Sequence, residues 1–335
     1  MIRPAKPFAP LEPVELMKLK QATVFILAAM QVHRSIENLP VFSNSVITIG
    51  TFDGVHEGHK KIISALISEA RAVNGESIII TFHPHPRKIV NPNEHLQLIN
   101  TLPEKIELLK KTGIDHLVIV PFNEQFASQT AQEYIDNFLI SKFHPHTIII
   151  GYDHHFGKGR KGNFMLLAEK ADHYNYRLLE IPKYILQEIA VSSTQIRNAL
   201  LESNIERANQ LLGYHFFFEG KVIQGDQLGR KLGYPTANLE YTDSDKIHLG
   251  HGVYAAYAEL DNLVYKGMLS IGNRPTLKNS NERVEINIFD FNKEIYGESM
   301  RVIVKKYLRA QEKYNSLEEL QKQLAMDKQN SLVIL

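Results

Sequence analysis

Residues 46–73 read VITIGTFDGVHEGHKKIISALISEARAV, and this stretch decides the fold. Val46–Gly50 is short, apolar and β-branched, as expected of a buried strand. From His56 to Val73 the apolar residues Ile62, Ile63, Leu66, Ile67 and Ala70 recur at helical spacing. Between the two lies Gly50-Thr51-Phe52-Asp53-Gly54-Val55-His56-Glu57-Gly58-His59, a glycine-containing turn that opens a helix. In an α/β sheet ligands bind at such a turn, beyond the carboxyl end of the strand. His56 and His59 are three apart, so they share one face of the first helical turn. Gly54 and Gly58 let a phosphate approach the backbone, and the helix N-terminus favours negative charge. Two imidazoles aimed at a triphosphate can stabilise charge growing on phosphorus and on departing pyrophosphate.

Outward from this stretch the strand–helix alternation continues. Asn74-Gly75 ends the helix and Ser77–Phe82 forms the next strand. A helix from Pro103, strand His116–Phe122, helix from Thr130, strand Thr147–Tyr152, helix from Phe164 and strand Arg177–Ile181 follow. The pattern predicts a parallel sheet covered by helices on both faces. Two short helical stretches run from Ser192 to Leu212, and from about His215 the texture changes. Gly252–Leu260, Leu263–Ile271, Val284–Phe291 and Ser299–Tyr307 read as successive strands without helices, as in a compact antiparallel barrel or sandwich. Ser316–Leu324 closes the chain as an amphipathic helix with Ser316 as cap and Glu319 in the capping-box position.

Composition narrows the function classes. The chain has 335 residues, enough for two domains, and is 44% hydrophobic. Its 38 Lys and Arg nearly balance 37 Asp and Glu, so it lacks the basic excess expected of a nucleic-acid binder. It has no cysteine, which excludes disulfides, thiolate zinc sites and cysteine nucleophiles. No apolar run is long enough for a membrane helix. Ala22–Met30 follows Lys18 and Lys20 in the manner of a signal peptide but lacks a small-residue cleavage site. Residues 1–29, with prolines at 4, 7, 10 and 13, are read instead as an extension outside the fold of a cytoplasmic protein. Met30 stands as an alternative start.

Further segments lie where loops converge on one edge of the sheet. Thr81-Phe82-His83-Pro84-His85-Pro86-Arg87 follows the second strand, Pro121–Ala127 the third, and Gly151–Gly162 the fourth. Val191-Ser192-Ser193-Thr194-Gln195-Ile196-Arg197 opens a helix, where hydroxyls, amides and a guanidinium suit phosphate. His83/His85 and His154/His155 invite a transition-metal reading, but no carboxylate completes a zinc spacing and adjacent histidines on a strand point apart. In the C-terminal third, residues 220–239 read GKVIQGDQLGRKLGYPTANL. Gly225, Gly229 and Gly233 allow a backbone to fold around phosphate, though a plain glycine-rich hairpin has the same composition. Thr236 and Asn238 offer neutral oxygens that suit Mg2+ shared with substrate phosphates.

The first segment closely resembles the HxGH signature of the nucleotidyltransferase superfamily. Together with the loops after the later strands and Val191–Arg197, it resembles the adenylyltransferase module of the prokaryotic bifunctional riboflavin kinase/FMN adenylyltransferase family. Pro235-Thr236-Ala237-Asn238 resembles the hallmark of riboflavin kinases. Its companions Gly252–Ala255, Gly267–Thr276, Glu285–Phe291, Tyr296-Gly297 and Arg309 follow in family order. The resemblance spans residues 31–335. It implies a Rossmann-like HxGH domain at 30–200 and a six-stranded Greek-key riboflavin kinase barrel with a C-terminal helix at 201–335. It also implies the activity: ATP phosphorylates riboflavin to FMN, and a second ATP adenylylates FMN to FAD and pyrophosphate.

By the same resemblance, Gly50, Phe52, Asp53, Gly54, His56, Gly58, His59, Ser193, Thr194 and Arg197 would handle ATP in the first domain. Asn123, Phe126 and Asp153 would lie near FMN. In the second, Gly225, Gly229, Arg230, Gly233, Thr236 and Asn238 would hold ATP, the last two with Mg2+, and Arg309 would contact flavin. Glu285 would be the general base that helps the ribityl hydroxyl attack the γ-phosphate. Asn287 departs from the pattern, standing where many relatives carry His. Two rival readings explain less: a nucleotidyltransferase with another acceptor leaves the PTAN segment unexplained, and a flavin-binding regulator that has lost catalysis has no need of a full catalytic set.

Overall fold

The computed structural model describes residues 29–151, 153–181, 191–225, 228–273 and 282–335. Residues 1–28 of the expected extension, Tyr152, Asp226, Gln227 and Arg274–Thr276 lie outside the described residues. The first half is a parallel sheet of β1 (Gln31–His33), β2 (Val46–Ile49), β3 (Ser77–His83), β4 (His116–Pro121), β5 (Thr147–Gly151) and β6 (Arg177–Ile181), in the order β1-β4-β3-β2-β5-β6. The inner strands β2–β5 are buried on both faces, which explains their apolar runs, while the edge strands β1 and β6 are partly exposed. Ile47, Ile49, Ile78 and Ile80 enter one core, whereas Val46, Ile79, Leu117 and Ile149 enter the other.

Helix α1 (Glu57–Ala72) lays Ile63, Leu66 and Ala70 on the sheet, with Ile62 and Ile67 flanking that stripe. Helices α2 (Leu102–Lys110) and α3 (Phe164–Tyr174) match expectation, and α2 begins with a Thr101/Glu104 capping box. The helix expected from Thr130 begins there, with a Thr130/Glu133 capping box, but departs from α geometry: Tyr134–Ile140 is a π-helical segment that buries Tyr134, Ile135, Phe138 and Leu139. Strand β1 has only three residues and pairs in parallel with β4. It is too short for a periodic signal in the sequence.

After α4 (Ser193–Leu201) and α5 (Ile205–Leu212), six antiparallel strands close a barrel. They are β7 (Phe217–Ile223), β8 (Ala237–Tyr241), β9 (Gly252–Leu260), β10 (Leu263–Gly272), β11 (Arg283–Ile288) and β12 (Ser299–Arg309). Strand β12 returns to pair with β9, so β12-β9-β10-β11 forms the Greek key. The terminal helix α6 (Leu317–Ile334) runs ten residues beyond its expected end, capped by Ser316 as foreseen. Ile196, Leu200, Ile205, Leu211 and Leu212 of the two linking helices share one core with Phe218, Tyr254 and Leu269 of the barrel. Ile99, from the first half of the chain, also enters that core.

Candidate active sites

The order in which strands are added reverses beside β2, which pairs in parallel with β3 on one side and β5 on the other. The HxGH turn leaves β2 at this switch point, where an open α/β sheet has its ligand crevice. The turn is conformationally strained, with positive φ at Phe52 (47°), Gly54 (89°) and Val55 (37°). Such angles are costly for a β-branched residue and persist only where the surroundings enforce them. Here Asp53, 1% exposed, accepts from the backbone N–H groups of Ile99 (3.0 Å) and Asn100 (3.2 Å) and from Arg197 Nη2 (2.6 Å). Its carbonyl accepts from Ser193 Oγ at 2.9 Å. Val191–Arg197 is thereby brought to the HxGH turn across 140 residues of chain.

His56 caps α1, its Nδ1 accepting the N–H of His59 at 3.3 Å. That bond leaves the neutral ring's proton on Nε2 as a donor. The two imidazoles stack with centroids 3.6 Å apart. A Cβ on Gly58 would meet the His56 ring at 3.2 Å, a tight contact that the ring would have to yield to by a few tenths of an ångström. Burial pushes His56 down to about 4 and His59 well below the usual histidine range. Both are therefore neutral donors at pH 7. His59 Nδ1 is covered and has no partner within the protein, as expected of an atom left for a bound group.

The remaining predicted residues of this half sit at the carboxyl edge of the same sheet. Asn123 caps a short helix by accepting the N–H of Phe126 at 2.8 Å, a structural duty the motif alone did not reveal. Phe126 belongs to an aromatic cluster, 5.8 Å from Phe82 and 5.0 Å from Phe138. Asp153 is exposed just after β5, and Thr194 is exposed in the first turn of α4. Gly50 packs under the Phe52 ring. Arg197 is engaged twice within the protein, by Asp53 and by the carbonyl of Gln97 at 2.9 Å.

Sequence reasoning missed Lys105. Its ammonium is buried and donates to the carbonyl of Thr51 at 2.7 Å, within the field of Asp53. A lysine on an amphipathic helix ordinarily reads as solvated, and nothing in the local pattern marks this one as turned inward. Tyr214 and Asn100 were missed as well: the Tyr214 hydroxyl lies 2.7 Å from the Gly54 carbonyl and 3.2 Å from Asn100 Oδ1.

The barrel carries its own cavity of about 520 Å3. Asn238 of β8 pairs directly with Glu285 of β11, and Thr236 Oγ1 lies 3.4 Å from Glu285 Oε2. Arg283 Nη1 is 3.4 Å from the other carboxylate oxygen. A Cβ on Gly225 would fall 2.0 Å from Asn238 Nδ2, so the glycine-rich segment lies hard against Asn238. Gly229 and Arg230 lie in a short helix, Leu228–Lys231, and Gly233 follows with φ 83°. Asn287 donates to the carbonyl of Pro235 at 2.6 Å, so the residue that departs from the family pattern braces the PTAN turn. Arg309 lines the cavity but is held by buried Asp327 of α6 at 2.6 Å, which fastens the terminal helix to the barrel.

Each half of the chain matches a known family. The FAD synthetase profile matches residues 39–195, and the riboflavin kinase profile matches residues 212–335. A bifunctional riboflavin kinase/FMN adenylyltransferase of Buchnera aphidicola (subsp. Schizaphis graminum) is 38% identical, over 89% of this chain and 96% of its own. This chain belongs to the bifunctional riboflavin kinase/FMN adenylyltransferase family. The relative of that description from Bacillus subtilis is 36% identical (87% of this chain, 92% of that one), and the Escherichia coli K12 relative 33% (89% and 96%). A solved structure from Streptococcus pneumoniae, described as a macrolide-efflux protein, superposes with a TM-score of 0.79 at 31% identity. It covers 90% of this chain and 98% of its own. Among the described residues no helix is long and apolar enough to cross a membrane. The enzyme phosphorylates riboflavin to FMN in the barrel domain and adenylylates FMN to FAD in the parallel-sheet domain.

Proposed function

We propose that the two reactions are carried by two separate residue sets, with the domains divided near residue 200 and the protein working in the cytoplasm. In FMN adenylylation an FMN phosphate oxygen attacks the α-phosphorus of ATP and pyrophosphate leaves. His56 and His59 donate to the phosphates as neutral imidazoles. The N-terminus of α4, with Ser193, Thr194 and Arg197, takes the anionic tail. Asp53 supports this set by holding Arg197 and the turn, while Asn123, Phe126 and Asp153 face the flavin. The observation that carries the reading is the stacked His56–His59 pair with its unpartnered, covered nitrogen, gathered against the Ser193–Arg197 segment.

In the kinase reaction Glu285 removes the proton of the ribityl hydroxyl as its oxygen attacks the γ-phosphorus and ADP departs. Glu285, Thr236 and Asn238 form a hard-oxygen donor set suited to Mg2+, with Thr236 and Asn238 as its ligands. When bound with the nucleotide, that ion supplies charge neutralisation on the phosphoryl oxygens. Gly225, Gly229, Arg230 and Gly233 border the ATP phosphates. Arg309 shapes the flavin end through its bond to α6.

The test is a cross-over pair of variants assayed by flavin chromatography. His59→Ala is expected to lower FAD formation from FMN by about 10²–10³ while FMN formation persists. Glu285→Ala is expected to do the reverse. Loss of both activities in either folded variant would overturn the two-set reading.

A further inference from the structure

Lys246 lies between β8 and β9 of the barrel, and its side chain is 1% exposed. Its ammonium reaches out of its own domain. It donates to the carbonyl of Ile99 at 2.8 Å and to Glu104 Oε2 at 2.5 Å, both belonging to the parallel-sheet domain. The rings of Phe216 and Phe217 stand 4.6 and 5.4 Å from the nitrogen. The backbone around it is paired as well: Leu98 N–H donates to the carbonyl of Asp245 and Ile247 N–H to the carbonyl of Leu98. A short parallel bridge thus joins the two domains at residues 98 and 246.

The Ile99 carbonyl that Lys246 grips lies beside the groups that hold the HxGH turn. Ile99 gives its carbonyl to Lys246 and its N–H to Asp53. Asn100 gives its N–H to Asp53 too, and its side-chain oxygen lies beside the Tyr214 hydroxyl, which reaches Gly54. Asp53 sits between Phe52 and Gly54, both at positive φ, in the turn that presents His56. Strain of this kind is held only by contacts around it, and residues 99–100 and 214 supply several of them beside Lys105, Ser193 and Arg197. Removing an ion pair from water is costly, and hydrophobic replacements are often as stable. A role in setting geometry accounts for keeping this one buried.

We infer that Lys246 of the kinase barrel is a positioning residue for FMN adenylylation, acting through the Ile99 peptide and Asp53 to hold the HxGH turn. The inference rests on the reading of that turn as the ATP-phosphate site. Lys246 does not line the kinase cavity, so riboflavin phosphorylation on the same polypeptide is an internal control.

The experiment uses the full chain carrying Lys246→Met together with Glu104→Gln. The pair leaves no buried unpaired charge, and the glutamine can still close the Thr101 capping box. Thermal melting and the riboflavin kinase assay verify folding. Tyr214→Phe, which removes only a hydroxyl, is measured alongside. The expected result is a raised KM for ATP and a kcat/KM for FMN adenylylation lower by about ten- to hundredfold, with kinase kcat/KM within about twofold of the parent. Tyr214→Phe is expected to shift KM for ATP in the same direction. Adenylylation unchanged in both variants, or a parallel fall of both activities, would overturn the inference. His59→Ala separates the two levels: if it leaves adenylylation intact, the reading of the turn has failed. If it abolishes adenylylation while the Lys246/Glu104 variant does not, only the role of Lys246 has failed.

Discussion

Arg197 Nη2 and Asp53 Oδ2 meet at 2.6 Å although 144 residues of chain separate them, and the carboxylate end of the pair is 1% exposed. The contact joins the turn after the first long strand to the last helix of the adenylyltransferase motif set. Asp53 also draws two backbone N–H groups from residues 99 and 100, so one buried carboxylate organises three segments of chain.

Arg197→Met removes the only side-chain cation that the described residues place in hydrogen-bond contact with that carboxylate. Breaking a buried pair by deleting one partner costs about 3–5 kcal/mol. The remaining backbone donors put the expected loss near the lower end. Chemical denaturation of parent and variant measures it, and FAD formation from FMN should fall with it. A variant of parental stability would show that the two N–H groups satisfy Asp53 alone.

Acid should destabilise the fold through buried histidines. His56 and His85 are each pushed down to about 4 from 6.5, chiefly by burial. Between these values the unfolded chain binds protons that the folded chain refuses, so stability is complete above pH 6.5 and falls toward pH 4. Each group contributes a slope of about 1.4 kcal/mol per pH unit in that window. His85 also accepts the N–H of Arg87, and asparagine can keep that cap. His85→Asn should therefore flatten the dependence of unfolding free energy on pH between 6.5 and 4. An unchanged slope would place the titration elsewhere.

Gly225→Ala should injure the kinase selectively. The new methyl would lie 2.0 Å from Asn238 Nδ2, forcing the amide of this cavity-lining residue to move. Riboflavin phosphorylation is expected to lose on the order of tenfold or more in kcat/KM, chiefly through KM for ATP, since a displacement of about 1 Å is enough for such losses. Adenylylation of supplied FMN should stay at the parental rate. Equal loss of both activities would point to a global defect.

Much of this was legible from the chain because the signals are local. Apolar runs such as Ser77–Phe82 and helical stripes such as Ile63, Leu66 and Ala70 report burial one residue at a time. The HxGH and PTAN segments carry chemistry within ten residues. The three-residue strand β1 and the π-helical segment Tyr134–Ile140 left no such trace, since one is too short for periodicity and the other keeps apolar residues at helical spacing.

The sequence by itself determined the alternation of strands and helices, the change to a β-rich C-terminal half, and which residue types gather at each turn. Only the tertiary structure decided where the buried charges go. Nothing in the local sequence marks Lys105 or Lys246 as buried, yet each donates to a carbonyl inside the protein, and Lys246 also meets Glu104. Arg309, a flavin contact by the resemblance, lines the barrel cavity and is also held by Asp327 of the terminal helix, a partner that nothing local announces. An ion pair between distant segments leaves no periodicity in either, because its stability depends on what the completed fold places within about 3 Å of each charge and on the water excluded around it.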